Sequence, residues 1–124
     1  MAGMTWRTLI VEDDGTLVSS PSKMFGETGD GIAWFVDNQS GVTVKVRIKD
    51  IHKKNTGAPF SSGPIDFLSG DHVTVADGDI GMIAGQISFL PSGSPVVAKY
   101  TIEVKSSLLN KDYDPDLEID RPGS

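Results

Sequence analysis

Two histidines and a methionine are the side chains best suited to hold a transition metal: His52, His72 and Met82. A type 1 copper site combines a cysteine thiolate with two imidazoles and a weak axial ligand such as methionine. The chain has no cysteine. Because the thiolate dominates the bonding at such a centre, the composition excludes type 1 copper, and it also excludes disulfides. A small metal-binding protein of another type, using these three residues, stays open as an alternative function.

The acidic stretch Asp112–Asp116 has the D-x-D-x-D spacing with which calcium loops begin. An EF-hand loop also requires glycine at its sixth position and glutamate at its twelfth. Those positions hold Leu117 and Gly123 here. We therefore expect a solvated turn in which Asp114 accepts backbone N–H bonds, and calcium binding stays an alternative.

Ser69, Asp71 and His72 are the residue types of a catalytic triad. A triad is defined by convergence of the three side chains. Neighbouring residues at the start of a strand point to opposite faces, so Asp71 and His72 are not expected to converge. No catalytic residue and no cofactor are predicted, since no glycine-rich phosphate-binding motif occurs either. An enzyme whose site lies in the loop Asn55–Gly70 is a weaker alternative.

Three cations, Lys45, Arg47 and Lys49, alternate along one segment of an otherwise acidic chain. Alternation places them on one face of a strand. We predict that they bind a partner, either another protein with an acidic surface or a second copy of this chain. The competing interpretation is a solvated strand face whose lysines prevent edge-to-edge association.

The elements that carry these residues follow a period of two. Val42–Lys49 and Ala98–Lys105 alternate between apolar and polar residues, which is typical of strands with one buried face. Shorter apolar stretches predict further strands at 5–12, 31–36, 72–75, 83–89 and 117–119. Segments 31–36 and 42–49 are expected to form a hairpin. Phe35, opposite the core side of its strand, could lie under a loop or in an interface, and Gly85 indicates a bulge or close packing.

These elements predict an all-β fold, an antiparallel two-sheet sandwich of the cupredoxin-like or immunoglobulin-like Greek-key type, with about 7–8 strands and no substantial helix. The 124 residues fit a single domain, 1–124, with an irregular loop at about 55–70 and a tail at 121–124.

A net charge of −6 disfavours nucleic acid and anionic membranes as partners. With no signal peptide or transmembrane segment visible, a cytoplasmic location is expected.

Three sequence patches resemble a known family. They are a glycine–aspartate turn with an aromatic strand and a polar turn at 29–44, the Y-T-I-E-V strand with its approach at 91–104, and a closing Asp-Pro, short strand and proline at 114–122. This arrangement is similar to the small bacterial cupredoxin-like proteins that lack copper ligands, in particular the DP-EP family. The resemblance implies the sandwich fold and no established activity.

The sequence thus favours a non-catalytic protein-interaction or accessory β-sandwich module. Its partner would be another protein or a second copy of the chain.

Overall fold

The computed structural model describes residues 3–14, 16–20, 23–107 and 110–122. Within these ranges the regular structure is all strand, as predicted, with more strands than the sequence indicated. They are β1 Met4–Val11, β2 Leu17–Ser20, β3 Lys23–Glu27, β4 Gly31–Asn38, β5 Val44–Lys53, β6 Ile65–Phe67, β7 His72–Val75, β8 Ile80–Ile87, β9 Val96–Lys105, β10 Asn110–Tyr113 and β11 Asp116–Asp120. No helix among these residues is long and apolar enough to cross a bilayer.

The strands form two sheets. Sheet A has the order β2-β1-β4-β8-β6, and sheet B has the order β3-β11-β9-β5-β7, with β10 also pairing with β9. Most pairs are antiparallel, as expected, but β1–β4 and β3–β11 are parallel. Parallel neighbours require a connection that brings the chain back to the same end of the sheet. Between β1 and β4 the chain passes through β3 of sheet B, and between β3 and β11 it passes through strands of sheet A.

Period-two alternation explains how the two sheets share one core. On β5 the residues Val44, Val46 and Ile48 are buried, while the intervening cations face outward. Residues of β9 and β11 alternate in the same way. The buried side chains of both sheets form one cluster, in which Trp34, Tyr100, Leu9, Met24 and Ile32 are among the largest.

The predicted hairpin between the strands around Trp34 and Val44 is wrong. β4 belongs to sheet A and β5 to sheet B, so the chain crosses between sheets at 39–43. Asn38 secures this crossover. Its fully buried amide donates to the carbonyls of Val42 (2.7 Å) and Val75 (2.9 Å), and its oxygen accepts from Ser40. These bonds pair backbone groups where the chain leaves the sheet. The same turn-forming residues occur in hairpins and in crossovers, so the sequence alone does not distinguish the two.

The loop at 55–70 contains the short edge strand β6, and most of its large apolar residues pack into the fold, whereas Leu68 stays exposed. Ile65 is buried in the core, and the ring of Phe60 meets that of Phe89 at 4.7 Å. The tail at 121–124 is exposed at Arg121 and Pro122, and Gly123 and Ser124 lie outside the described residues.

Candidate interaction surface

The outward side of sheet A is apolar although it faces solvent. Of the eight large apolar side chains that are exposed among the described residues, six point outward from this sheet. Single exposed apolar residues are normal on protein surfaces, whereas a contiguous group marks a site of interaction. We call this group, together with the half-buried Phe35, the apolar face: Met4, Trp6, Val18, Phe35, Leu68, Ile80 and Met82.

Strand register makes the apolar face continuous across all five strands. Trp6 on β1 is opposite Ala33 on β4, which in turn is opposite Ala84 on β8. The Leu68 amide bonds the Ala84 carbonyl and extends this row to the sheet edge. In the next row Phe35 is opposite Met82. Cross-strand neighbours on one face lie about 4.5–5.5 Å apart, so these side chains form one surface.

The charges on this side of sheet A are all negative among the described outward residues. Asp37 lies at one end of β4, and Asp66 lies on the edge strand β6. The strands of sheet A contain one basic residue, Arg7, and it points inward with 2% of its surface exposed. The apolar face therefore has an anionic border and no cation of its own.

The outward side of sheet B has the opposite character, because cations and carboxylates pair across it. Lys49 Nζ donates to Glu103 at 2.6 Å, and Lys54 and Lys99 both bond Asp116, at 2.6 and 3.2 Å. Glu103 is also 3.6 Å from Lys105. We call this the charged face: Lys23, Lys45, Arg47, Lys49, Lys54, Lys99, Glu103, Lys105, Asp116 and Glu118.

The structure brings the three predicted partner-binding cations together on the charged face. Lys45, Arg47 and Lys49 all point outward from β5. Lys49 is bound to Glu103, and Arg47 Nε lies 3.7 Å from Asp71. Lys45 makes no ion pair within the part of the chain that the structure describes. Their role in binding stays a prediction, but much of the positive charge is neutralised within the molecule.

Ion pairing shifts the titration of the acids on this face. The hydrogen bond from Lys49 holds the pKa of Glu103 below its ordinary value of 4.5. The same bond raises the pKa of Lys49. The bond from Lys54 lowers the pKa of Asp116, despite an opposing effect of burial. These carboxylates therefore stay ionised and bound to their own lysines at neutral pH.

The residues proposed for a metal site are spread over the molecule. His72 is the register partner of Arg47, and His52 lies five residues farther along β5, beyond an irregularity between Lys49 and His52. Met82 belongs to the apolar face on the other sheet. No group of three His, Asp or Glu side chains with metal-ligating geometry occurs among the described residues.

The acidic stretch Asp112–Asp116 is divided between two short strands and bonded from several sides. Asp114 accepts from the hydroxyl of Thr101 at 3.1 Å, where the sequence predicted backbone N–H donors. Asp116 is held by lysines, and Lys99 also donates to the Asp114 carbonyl. Ammonium groups thus occupy oxygens that a calcium ion would need.

The triad-like residues are partly in contact, contrary to expectation. His72 Nδ1 lies 3.1 Å from Asp71 Oδ1, because Asp71 precedes the strand rather than lying within it. No hydrogen bond joins Ser69 to His72 in the described residues, and Asp71 is shared with Arg47. The arrangement lacks an activated nucleophile.

A buried polar cluster lies in the core. Arg7 Nη1 and Trp34 Nε1 both donate to Tyr100 Oη, at 2.9 and 3.1 Å, and Tyr100 lies 3.5 Å from Met24 Sδ. Burial raises the pKa of Tyr100, so its hydroxyl stays protonated. All four side chains are inaccessible to solvent, and the cluster is structural.

One open cleft of about 460 Å³ lies beside β3. Asp30, one of its carboxylates, accepts the backbone N–H groups of Gly3 (2.8 Å) and Glu27 (2.9 Å) and so closes a turn. The lining residues of the cleft are Gly3, Phe25, Gly26, Glu27, Asp30, Glu118 and Asp120.

The apolar face is not among the binding residues predicted from the sequence, apart from Phe35. A signal was present in β8, where Ile80 and Met82 alternate with glycine and with the buried Ile83. When a strand is apolar on both faces, one face packs in the core and the other is covered by a second layer or by an interface. Alternation in the sequence predicts the inward set, whereas the outward set becomes one surface only through strand pairing.

Comparisons with known proteins identify the fold. No family model matches the chain, and no curated protein matches it. Among solved structures it is similar to the CsuC–CsuE chaperone–tip adhesion subunit pre-assembly complex of the archaic chaperone-usher Csu pili of Acinetobacter baumannii. The TM-score is 0.64, and the identity is 18% over 83% of this chain and 55% of that one.

Two further similar structures are chaperones. The E. coli chaperone DraB has a TM-score of 0.64 and 9% identity over 96% of this chain and 58% of that one. The Pseudomonas aeruginosa CupB2 chaperone has a TM-score of 0.58 and 13% identity over 75% and 49%. The chain therefore spans about half the length of these neighbours. At such low identity the likeness establishes an immunoglobulin-like sandwich fold.

These neighbours overturn the resemblance to copper-free cupredoxin-like proteins. Four of the similar structures are chaperones or contain one, and one of these is a pre-assembly complex of the chaperone-usher Csu pili. The three patches that suggested the resemblance are short strand–turn combinations, such as the turn at Gly29 with its positive φ of 96°. Such combinations recur wherever two sheets are packed face to face, so they indicate the sandwich and do not identify a family.

Proposed function

We propose that this chain is a non-catalytic module that binds another protein through the apolar face of sheet A. The observation that carries the proposal is the contiguous exposure of Trp6, Met82 and Ile80, which are 56%, 52% and 70% exposed. Apolar surface of this kind gains free energy when a partner covers it, at roughly 25 cal/mol per Å² removed from water. Tryptophan is also enriched among the residues that dominate binding energy at interfaces.

The fold comparisons support a protein-binding role. The pilus chaperones are not enzymes, and one of the similar structures is a chaperone complexed with a tip adhesion subunit. The chain would share with them the use of a β-sandwich as a binding scaffold. The binding surface proposed here rests on this chain's own residues.

Site-specific photo-crosslinking tests the proposal. A photoreactive amino acid is placed at Met82, at the centre of the apolar face, and separately at Phe25, which is 61% exposed on sheet B. After irradiation in the native host, we expect a discrete crosslinked protein from position 82 and none from position 25. The double variant Trp6→Thr/Ile80→Thr, carried with the position-82 probe, should abolish the crosslink.

Matched controls separate binding from unfolding. Phe25→Thr removes an equally exposed aromatic from the other sheet and should leave the crosslink intact. Lys45→Ala/Arg47→Ala/Lys49→Ala tests the basic residues predicted from the sequence. Loss of the crosslink in that triple variant, or a crosslink only to a second copy of the chain, would contradict the proposal.

A further inference from the structure

The charges around the apolar face indicate what kind of protein surface fits it. We infer that its partner presents apolar side chains bordered by lysine or arginine, an inference that rests on the proposed function. The apolar face carries Asp37 and Asp66 and no outward cation among the described residues of sheet A. A partner with basic residues at its rim would pair with these acids, whereas an acidic partner would be repelled.

A second copy of this chain fits the surface poorly. Face-to-face pairing would bring two acid-bordered apolar faces together, with no cation from either copy to pair with Asp37 or Asp66. Pairing with the charged face of another copy would cover apolar residues with lysines and carboxylates that already satisfy one another, such as Lys49 and Glu103. Either arrangement leaves charge or apolar surface unmatched.

The distribution of basic residues over the whole chain supports the same conclusion. The chain contains eleven lysines and arginines. Apart from the buried Arg7, none belongs to a strand of sheet A, while β3, β5, β9 and β10 of sheet B all contain them. Among the described residues, the outward side of sheet A therefore combines apolar side chains with two acids and no cation, whereas sheet B presents cations beside its acids, so a basic partner is favoured on sheet A.

Trp6 provides a direct optical reporter for the test. It is one of two tryptophans, and the other, Trp34, is fully buried. A change in exposed tryptophan emission thus reports coverage of the apolar face. The probes are two synthetic peptides with leucine at every second position, one with lysine and the other with glutamate at the positions between.

We expect the lysine peptide to shift Trp6 emission to shorter wavelength and the glutamate peptide to bind on the order of tenfold more weakly or not at all. Asp66→Lys should weaken binding of the lysine peptide by several-fold. Asp112→Lys changes the net charge equally but lies on β10, away from sheet A, and should have a much smaller effect. Raising the salt concentration should reduce the difference between the peptides.

Several outcomes would overturn the inference. Equal binding of the two peptides would show that the acids do not select a partner. Equal effects of Asp66→Lys and Asp112→Lys would show that net charge, not the face, controls binding. Failure of both peptides to alter Trp6 emission would also count against it.

The proposed function can be separated from this inference. If the protein crosslinked at position 82 has no lysine or arginine in the crosslinked region, the charge inference fails while protein binding through the apolar face stands.

Discussion

At the scale of single residues, the sandwich depends on a few buried polar groups that are fully bonded. Tyr100 is the shared acceptor for Arg7 and Trp34, side chains that belong to the opposite sheet. A charged guanidinium is tolerated in the core only where hydrogen bonds replace its hydration. The cluster therefore fixes how the two sheets pack as well as filling space between them.

We predict that Tyr100→Phe lowers the free energy of unfolding by about 1–3 kcal/mol, because two buried donors lose their acceptor. Urea denaturation followed by tryptophan fluorescence measures the change. Tyr113→Phe, at the other tyrosine, removes a hydroxyl from a half-buried site on β10 and should change stability by less than about 0.5 kcal/mol. Equal effects of the two variants would show that the shared acceptor is not important.

At the scale of elements, glycines set how closely strands approach. Of the two alternatives that the sequence offered for Gly85, a bulge or close packing, the structure shows close packing. A Cβ there would lie 2.6 Å from the Asp66 carbonyl oxygen and 2.9 Å from a methyl group of Ile65. Backbone cannot yield as a flexible side chain does, so the edge strand β6 can pair with β8 only opposite a glycine.

Gly85→Ala should therefore loosen β6 and destabilise the fold by about 1–3 kcal/mol. Hydrogen exchange of the Leu68 amide, which bonds the Ala84 carbonyl, should become faster than exchange in β4. Gly93→Ala is the control, since a Cβ at that position meets no atom within 4 Å. Unchanged Leu68 exchange in Gly85→Ala would contradict this account of the edge.

At the scale of the whole molecule, the two sides of the sandwich differ in what they do with charge. The charged face neutralises its carboxylates with lysines, and the apolar face leaves Asp37 and Asp66 at its border without a basic neighbour among the outward residues. The carboxylates of one side are thus paired within the molecule, while the apolar side chains of the other gain from a partner. This asymmetry connects the fold to the proposed function.

The charged face also predicts how stability depends on pH. Glu103 and Asp116 have pKa values lowered in the folded state, from ordinary values of 4.5 and 3.8. Their ion pairs stabilise the fold at pH values above the ordinary pKa values. This contribution is lost as the pH falls through the lower folded-state pKa values. The melting temperature should fall as the pH drops below about 4.5.

Glu103→Gln should flatten the acid part of this profile, because the substituted amide does not titrate. Asp13→Asn, in an exposed turn, serves as the control and should leave the slope unchanged. Added salt should weaken the dependence, since these groups lie near the surface. An acid profile that is identical in Glu103→Gln and the unsubstituted protein would refute the role given to this pair.

The sequence alone determined the all-β class and which side of the strands is buried. In the segments at 42–49 and 98–105 the side-chain period is two, and burial of one face follows directly from that period. It also determined that no thiolate chemistry is possible, because the chain has no cysteine. These properties are local or compositional, so they require no knowledge of which strands are neighbours.

Only the tertiary structure decided which strands pair and which exposed residues lie together. The chain crosses between sheets after Asn38, whose side-chain amide donates to carbonyls 4 and 37 residues away. The sequence does not encode the more distant of these contacts locally. Trp6, Phe35, Met82 and Leu68 become one surface only when β1, β4, β8 and β6 are placed side by side. Neighbour relations in a sheet depend on contacts between distant segments, and the apolar face is a product of those relations.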